Sequence, residues 1–176
     1  MIYTKPNSEY LCNRFSFKEK IIIYWYIIMK LKIIIINVIF PLVFGVIIYV
    51  IFRDDSIRLF EWLNNLGFVN TIDSIKETTA ILKNHTPAWV YYSLPDGLWI
   101  YSLTSAFLLI WNPIYGIKKI LALIPLIFGL MIELAQEKKI INGTFDFQDV
   151  SFLILFFLLS LIIITFEIRK YENKID

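Results

Sequence analysis

Four long apolar stretches, Ile33 to Phe52, Gly97 to Trp111, Ile120 to Gln136 and Val150 to Phe166, constrain this chain more than any other feature. A hydrocarbon core of about 30 Å is crossed by roughly 20 helical residues, and about 17 suffice when the flanks lie in the headgroup layer. All four stretches have that length or come close to it. The sequence therefore predicts an all-α fold, a four-helix transmembrane bundle. Composition agrees, because 58% of the 176 residues are hydrophobic, against roughly 45–50% in an ordinary soluble domain. The net charge of +2 is too small to suggest a nucleic-acid partner, and no DNA- or RNA-binding motif accompanies it. Cys12 is the only cysteine, which excludes an intramolecular disulfide and a metal centre built on thiolates.

The expected layout is an N-terminal cytoplasmic or interfacial extension over residues 1–30, a four-span membrane domain over 31–170 and a cytoplasmic tail over 171–176. The polar, mixed-charge first twenty residues do not match a secretory signal. Ile21 to Ile28 is too brief to span and reads as interfacial, with Tyr24, Trp25 and Tyr26 suited to the headgroup layer. Met29-Lys30-Leu31-Lys32 would also make a natural start for a membrane protein. Basic residues cluster before the first span (Arg14, Lys18, Lys20, Lys30, Lys32), between the second and third (Lys118, Lys119) and after the fourth (Arg169, Lys170, Lys174). The positive-inside bias then puts both termini in the cytoplasm, with Arg53, Arg58, Lys138 and Lys139 counting the other way. The first outer loop, residues 53–95, is expected to carry two short amphipathic helices. One is marked by Ile57, Phe60 and Leu63, after caps at Asp55 or Ser56 and before a stop at Gly67; the other by Ile72, Ile75, Thr79 and Leu82. Trp89, Tyr91 and Tyr92 follow as an aromatic cluster, and Pro95-Asp96-Gly97 reads as a turn into the second span.

Glu133 lies inside the third apolar stretch, where an ionisable group costs about 2.5–3.5 kcal/mol at a helix centre and needs a partner or water. Gln136, three residues on, shares its helix face. Asp146 and Asp149 repeat that spacing where the fourth span begins, and Asp96 opens the second. Because helix direction alternates, all five fall on one side of the membrane and can line one polar pocket. Each also has a plainer role. Asp96 and Asp149 suit helix N-caps, and Asp146 suits an interfacial loop charge, whereas Glu133 is the hardest to explain without a pocket. His85 reads as an ordinary loop histidine. Ser93, Ser102, Thr104 and Ser105 are expected to bond to backbone or to a neighbouring helix rather than to act as nucleophiles. There is no zinc-binding His-Glu-x-x-His, phosphate loop, Cys–His pair or nucleophile elbow.

Asp96 opening a span, Glu133-x-x-Gln136 near the end of the next, and Gly143-Thr144-Phe145-Asp146-x-x-Asp149 leading into the last resemble the VanZ-like family of small bacterial membrane proteins. The resemblance runs from about Pro95 to Phe166. Members usually carry a Lys after the first Asp and a His three residues beyond that Lys, where this chain has Gly97 and Ile100. They also tend to carry an Arg where this chain has Gly143, and an Asn and a Gly in the last span, where Leu155 to Leu159 are apolar throughout. The family's positive partners for its carboxylates are thus absent. The resemblance implies a four-helix protein of the bacterial envelope, from a family whose founding member is associated with glycopeptide-antibiotic resistance, and it transfers no reaction.

The leading functional expectation is an envelope-associated membrane protein in which Glu133, Gln136, Asp146, Asp149 and Asp96 form an outer-face pocket for a polar or cationic group of a lipid or cell-wall component. In that picture Glu133 supplies the buried charge, Gln136 bonds the ligand or fixes Glu133, and the aspartates add acceptors. One alternative is a cation-dependent membrane hydrolase or transferase. Another is a structural subunit with a membrane-protein partner. The cofactor, if any, stays open.

Overall fold

A computed structural model describes residues 17–52, 65–67, 74, 79, 82–83, 85–110 and 118–175. Among these residues every regular element is helical. They are α1 (Phe17–Ile34), a π-helical turn (Ile35–Ile39), α2 (Phe40–Phe52), α3 (Ala88–Tyr91), α4 (Ser93–Ile110), α5 (Lys118–Leu121), α6 (Ile124–Glu137) and α7 (Phe147–Ile175). Three helical stretches, Ile27–Phe52, Ser93–Ile110 and Phe147–Lys170, are long and apolar enough to cross a membrane. The chain separates into two compact units, one ending at Ile33 and the other beginning at Ile34.

The third apolar stretch differs from the expectation of one continuous span. It is split into α5, a turn at Ala122 and Leu123, and α6, in which Pro125 stands within the first turn. Proline lacks an N–H and disfavours helical backbone in the residue before it, so a helix restarts there more readily than it runs through. At about 1.5 Å per residue α6 alone is near 21 Å, short of a bilayer core. The boundaries elsewhere also move. Residues 21–32 belong to α1 rather than to a separate interfacial segment, and α7 continues through Ile175. Pro95-Asp96-Gly97 is not a turn but part of the opening of α4, near the N-terminus, where a proline's missing N–H goes unnoticed. In the loop over 53–95, Gly67 adopts φ +83°, the left-handed backbone suited to a helix stop. The caps at Asp55 or Ser56, the helix marked by Ile57, Phe60 and Leu63, and Ile72 and Ile75 of the second helix lie outside the described residues.

The π-helical turn has a local cause. The Phe40 N–H bonds to the carbonyl of Ile35, five residues back, immediately ahead of Pro41, whose ring would collide with the carbonyl four residues before it. The widened turn holds the buried Asn37, whose Oδ1 accepts a 2.6 Å hydrogen bond from the Tyr101 hydroxyl. Beside it Ser102 Oγ donates to the carbonyl of Val38 at 2.7 Å. Further along α4, Ser105 and Ser160 of α7 share a 3.1 Å hydroxyl–hydroxyl bond. Ser102 and Ser105 thus bond across helices, whereas the buried Ser93 and Thr104 hydroxyls, expected to do the same or to bond to backbone, have no hydrogen-bond partner. Removing the hydroxyl with Tyr101→Phe takes this buried hydrogen bond from Asn37 and is expected to cost about 1 kcal/mol. Unfolding of the two proteins in detergent checks this, and Asn37→Ala and the double variant complete the cycle.

Pair contacts set the helix directions. Phe52 meets Tyr91, Tyr49 meets Trp99 and Asn37 meets Tyr101, so the π-helical turn with α2 runs antiparallel to α3 with α4. Gly97 meets Phe156 and Ser105 meets Ser160, so α4 and α7 run parallel. Two glycines permit this closeness. A Cβ on Gly97 would stand 2.7 Å from Phe156 Cδ2, and one on Gly45 would stand 2.8 Å from Trp99 Nε1. Inside lie Ile100, Leu153 and Phe157, joined by Leu126, Leu130 and Leu161. The outward faces are apolar as well: Phe40, Leu42, Val43, Phe44 and Ile47 on α2, and Leu155, Leu158, Ile162 and Phe166 on α7, are exposed. Exposed apolar surface on this scale exceeds what water-soluble monomers carry and matches a lipid-facing surface.

Candidate functional site

The acidic residues are organised by a three-helix junction. Gly129 of α6 has no side chain, and this lets Ile100 of α4 and Leu153 of α7 approach to 3.2 and 3.3 Å of where a Cβ would sit. One helical turn from each of these residues, towards the end where α4 and α7 begin, stand Asp96, Glu133 and Asp149. Each is four residues from its junction partner and so projects from the same helix face. α6 runs against α4 and α7, so the step is forward in sequence for Glu133 and backward for the two aspartates. The junction thereby stacks a carboxyl layer on an apolar one.

Glu133 is the buried member, with 6% of its surface exposed. The charges that act on it come from Asp149, Asp96 and Asp146. Its Oε2 has no hydrogen-bond partner, and neither has the buried Oδ1 of Asp149. A carboxylate oxygen accepts hydrogen bonds and, when ionised, donates none. Burying one without a donor costs about 1–3 kcal/mol or more. Part of that cost is offset by the helix starts. Asp96 and Asp149 are in the opening turns of α4 and α7, whose positive dipole ends point to the same side.

The cap assignment differs from the sequence expectation for three residues. Asp146, not Asp149, immediately precedes α7, and its Oδ1 accepts the Gln148 N–H at 2.9 Å. Its carbonyl accepts the N–H groups of Asp149 and Val150 at 3.1 and 3.3 Å. Asp149 is the third helical residue, and Asp96 the fourth of α4. Both helices start a few residues earlier than their apolar runs, because the first turn tolerates polar groups and proline. An acidic side chain is favourable in that first turn without being the cap.

Gln136 is turned towards the loop that joins α6 to α7. Gly143 adopts φ +148°, and a Cβ placed there would come within 2.6 Å of Gln136 Cδ and Nε2. The amide lies over the open face of that glycine and so braces the loop carrying Asp146. α6 itself ends with Lys139 at φ 55° and with hydrogen bonds from Lys139 N to Gln136 O (2.9 Å) and from Ile140 N to Ala135 O (2.9 Å), a Schellman closure. Asp96, Glu133 and Asp149 thus each stand one turn from the same junction and Asp146 caps the helix that carries Asp149, with Gln136 packed on the loop before it.

Rings surround the same end. Phe52 stacks on Tyr91 at 5.9 Å, Tyr91 leans on Tyr92 at 4.6 Å, and Trp89 meets Phe152 at 5.7 Å. Among the described residues, no three His, Cys, Asp or Glu side chains are grouped closely enough to hold a metal ion. Sequence reading did not single out Asn37, Pro41 or Pro125. A polar residue four before a proline inside an apolar run was the signal for the first two. Comparison with family models, curated proteins and solved structures finds no match.

Proposed function

We propose that this chain is a VanZ-like integral membrane protein of the bacterial envelope, a four-span bundle completed by α5 and α6, with both termini cytoplasmic. In this reading the carboxyl layer faces outward and binds a polar or cationic group of a lipid or cell-wall component. The observation that supports it best is Glu133: a carboxyl group enclosed by three helices, with one oxygen lacking any donor, is costly to keep for packing alone. The acidic neighbours make the site attractive to cations and hostile to anions. Gln136 packs on Gly143, in the loop that leads to Asp146. The aromatic rings at that end suit the headgroup layer, where such a ligand would be presented.

Extraction from bacterial membranes into native-lipid discs tests this reading. Mass spectrometry of the retained polar lipids and cell-wall precursors is expected to show one class held by the wild type about tenfold above the Glu133→Gln/Asp149→Asn double variant, a difference of about 1.4 kcal/mol. Equal retention of every class overturns it. The outward orientation is checked separately, with Cys12→Ser as background and a cysteine introduced at the exposed Asn142. A membrane-impermeant maleimide is expected to label that cysteine in intact cells.

A further inference from the structure

We infer that the group bound at the carboxyl layer is a primary ammonium, one carrying N–H donors, seated between Glu133 Oε2 and Asp149 Oδ1. This deepens the functional reading above and rests on it. The two oxygens are buried, belong to different helices, α6 and α7, and have no hydrogen-bond partner. In the ionised form each is an acceptor only, so what is missing is a donor. Glu133 and Asp149 each stand one helical turn from the junction where Gly129 meets Leu153, and no hydrogen bond joins their unpaired oxygens.

The chemistry narrows the choice of cation. A hard divalent ion takes six or more oxygens in a compact shell, and among the described residues no trio of ligating side chains is grouped to begin one. A primary ammonium can give two of its three N–H donors to these oxygens and the third to water, and it accepts the wider spacing that hydrogen bonds allow. A quaternary ammonium brings the same charge and would satisfy neighbouring aromatic rings equally well. It has no N–H, however, and would leave both carboxyl oxygens as unpaired as before. The layer should therefore separate amine from trimethylamine head groups that are otherwise alike.

The full-length protein is reconstituted into nanodiscs holding phosphatidylethanolamine and phosphatidylcholine in equal amounts within a phosphatidylglycerol background, and lipid retained through gentle ejection is counted by native mass spectrometry. Wild type is expected to retain the ethanolamine lipid about tenfold over the choline lipid, and Glu133→Gln and Asp149→Asn are each expected to bring the ratio near one. Displacement by excess free ethanolamine supports a site open to a soluble amine, and resistance to it supports a lipid-borne head group. Equal retention of the two lipids by wild type overturns the ammonium assignment, a result that needs no variant and so is independent of folding defects. If retention of both lipids then falls in the variants, the carboxyl site stands without the ammonium. If the variants change nothing, both readings fall.

Discussion

Glu133→Gln is expected to yield a protein that is at least as stable as the wild type and has lost its ligand. The substitution keeps the shape of the side chain while replacing a buried carboxyl group, set among Asp149, Asp96 and Asp146, by a neutral amide. It replaces an acceptor that has no donor by an amide N–H group that can donate to neighbouring carboxyl oxygens, and it relieves the repulsion of like charges, so unfolding in detergent is expected to move upward by about 1 kcal/mol. Retention of the bound group is expected to fall about tenfold or more. The two measurements must move in opposite directions, because a functional residue is kept despite its cost in stability. A variant that is destabilised and binds normally would make Glu133 a structural residue and remove the centre of the site.

Gly129→Leu is expected to have the second large effect, through geometry alone. Ile100 and Leu153 already stand 3.2 and 3.3 Å from the position of a Cβ there, and neither end can withdraw without disturbing the shared core with Phe157. An isobutyl group forces α6 away from α4 and α7. Overpacking of this kind costs about 3 kcal/mol. Because Glu133 is one turn along the same face, the displaced helix also carries its carboxyl group away from Asp96 and Asp149. Ligand retention is expected to fall together with stability, in contrast to Glu133→Gln, where the two separate. Gly129→Ala adds only the Cβ and is expected to cost about 1 kcal/mol, with the site still formed. If Gly129→Leu leaves both measurements unchanged, the three-helix junction does not organise the carboxyl layer.

Much of this architecture was legible in the chain because apolar run length is a local property. Ile33 to Phe52, Gly97 to Trp111 and Val150 to Phe166 each correspond to a helix long and apolar enough to cross a membrane, with ends shifted by a few residues. Those shifts have one cause: a helix's first turn accepts polar residues and proline, so α4 and α7 begin ahead of their hydrophobic runs. Ile120 to Gln136 is the exception, and Pro125 explains it. The π-helical turn was foreseeable from Pro41, but its use was not, because the partner of Asn37 lies on another helix, 64 residues away.

The candidate site divides along the same line. By itself the sequence determined which acidic residues share one side of the helical array, since alternating direction puts Asp96, Glu133, Asp146 and Asp149 at the same end whatever the packing. Only the tertiary structure decided how they differ. Gly129 lets three helices close around Glu133 and strip its Oε2 of solvent, the start of α7 takes Asp146 as its cap, and Gln136 is drawn onto Gly143. Spacing along a helix sets the face from which a side chain leaves. Whether that side chain ends as a cap, a brace or a buried charge depends on which neighbouring helices come close enough to exclude water.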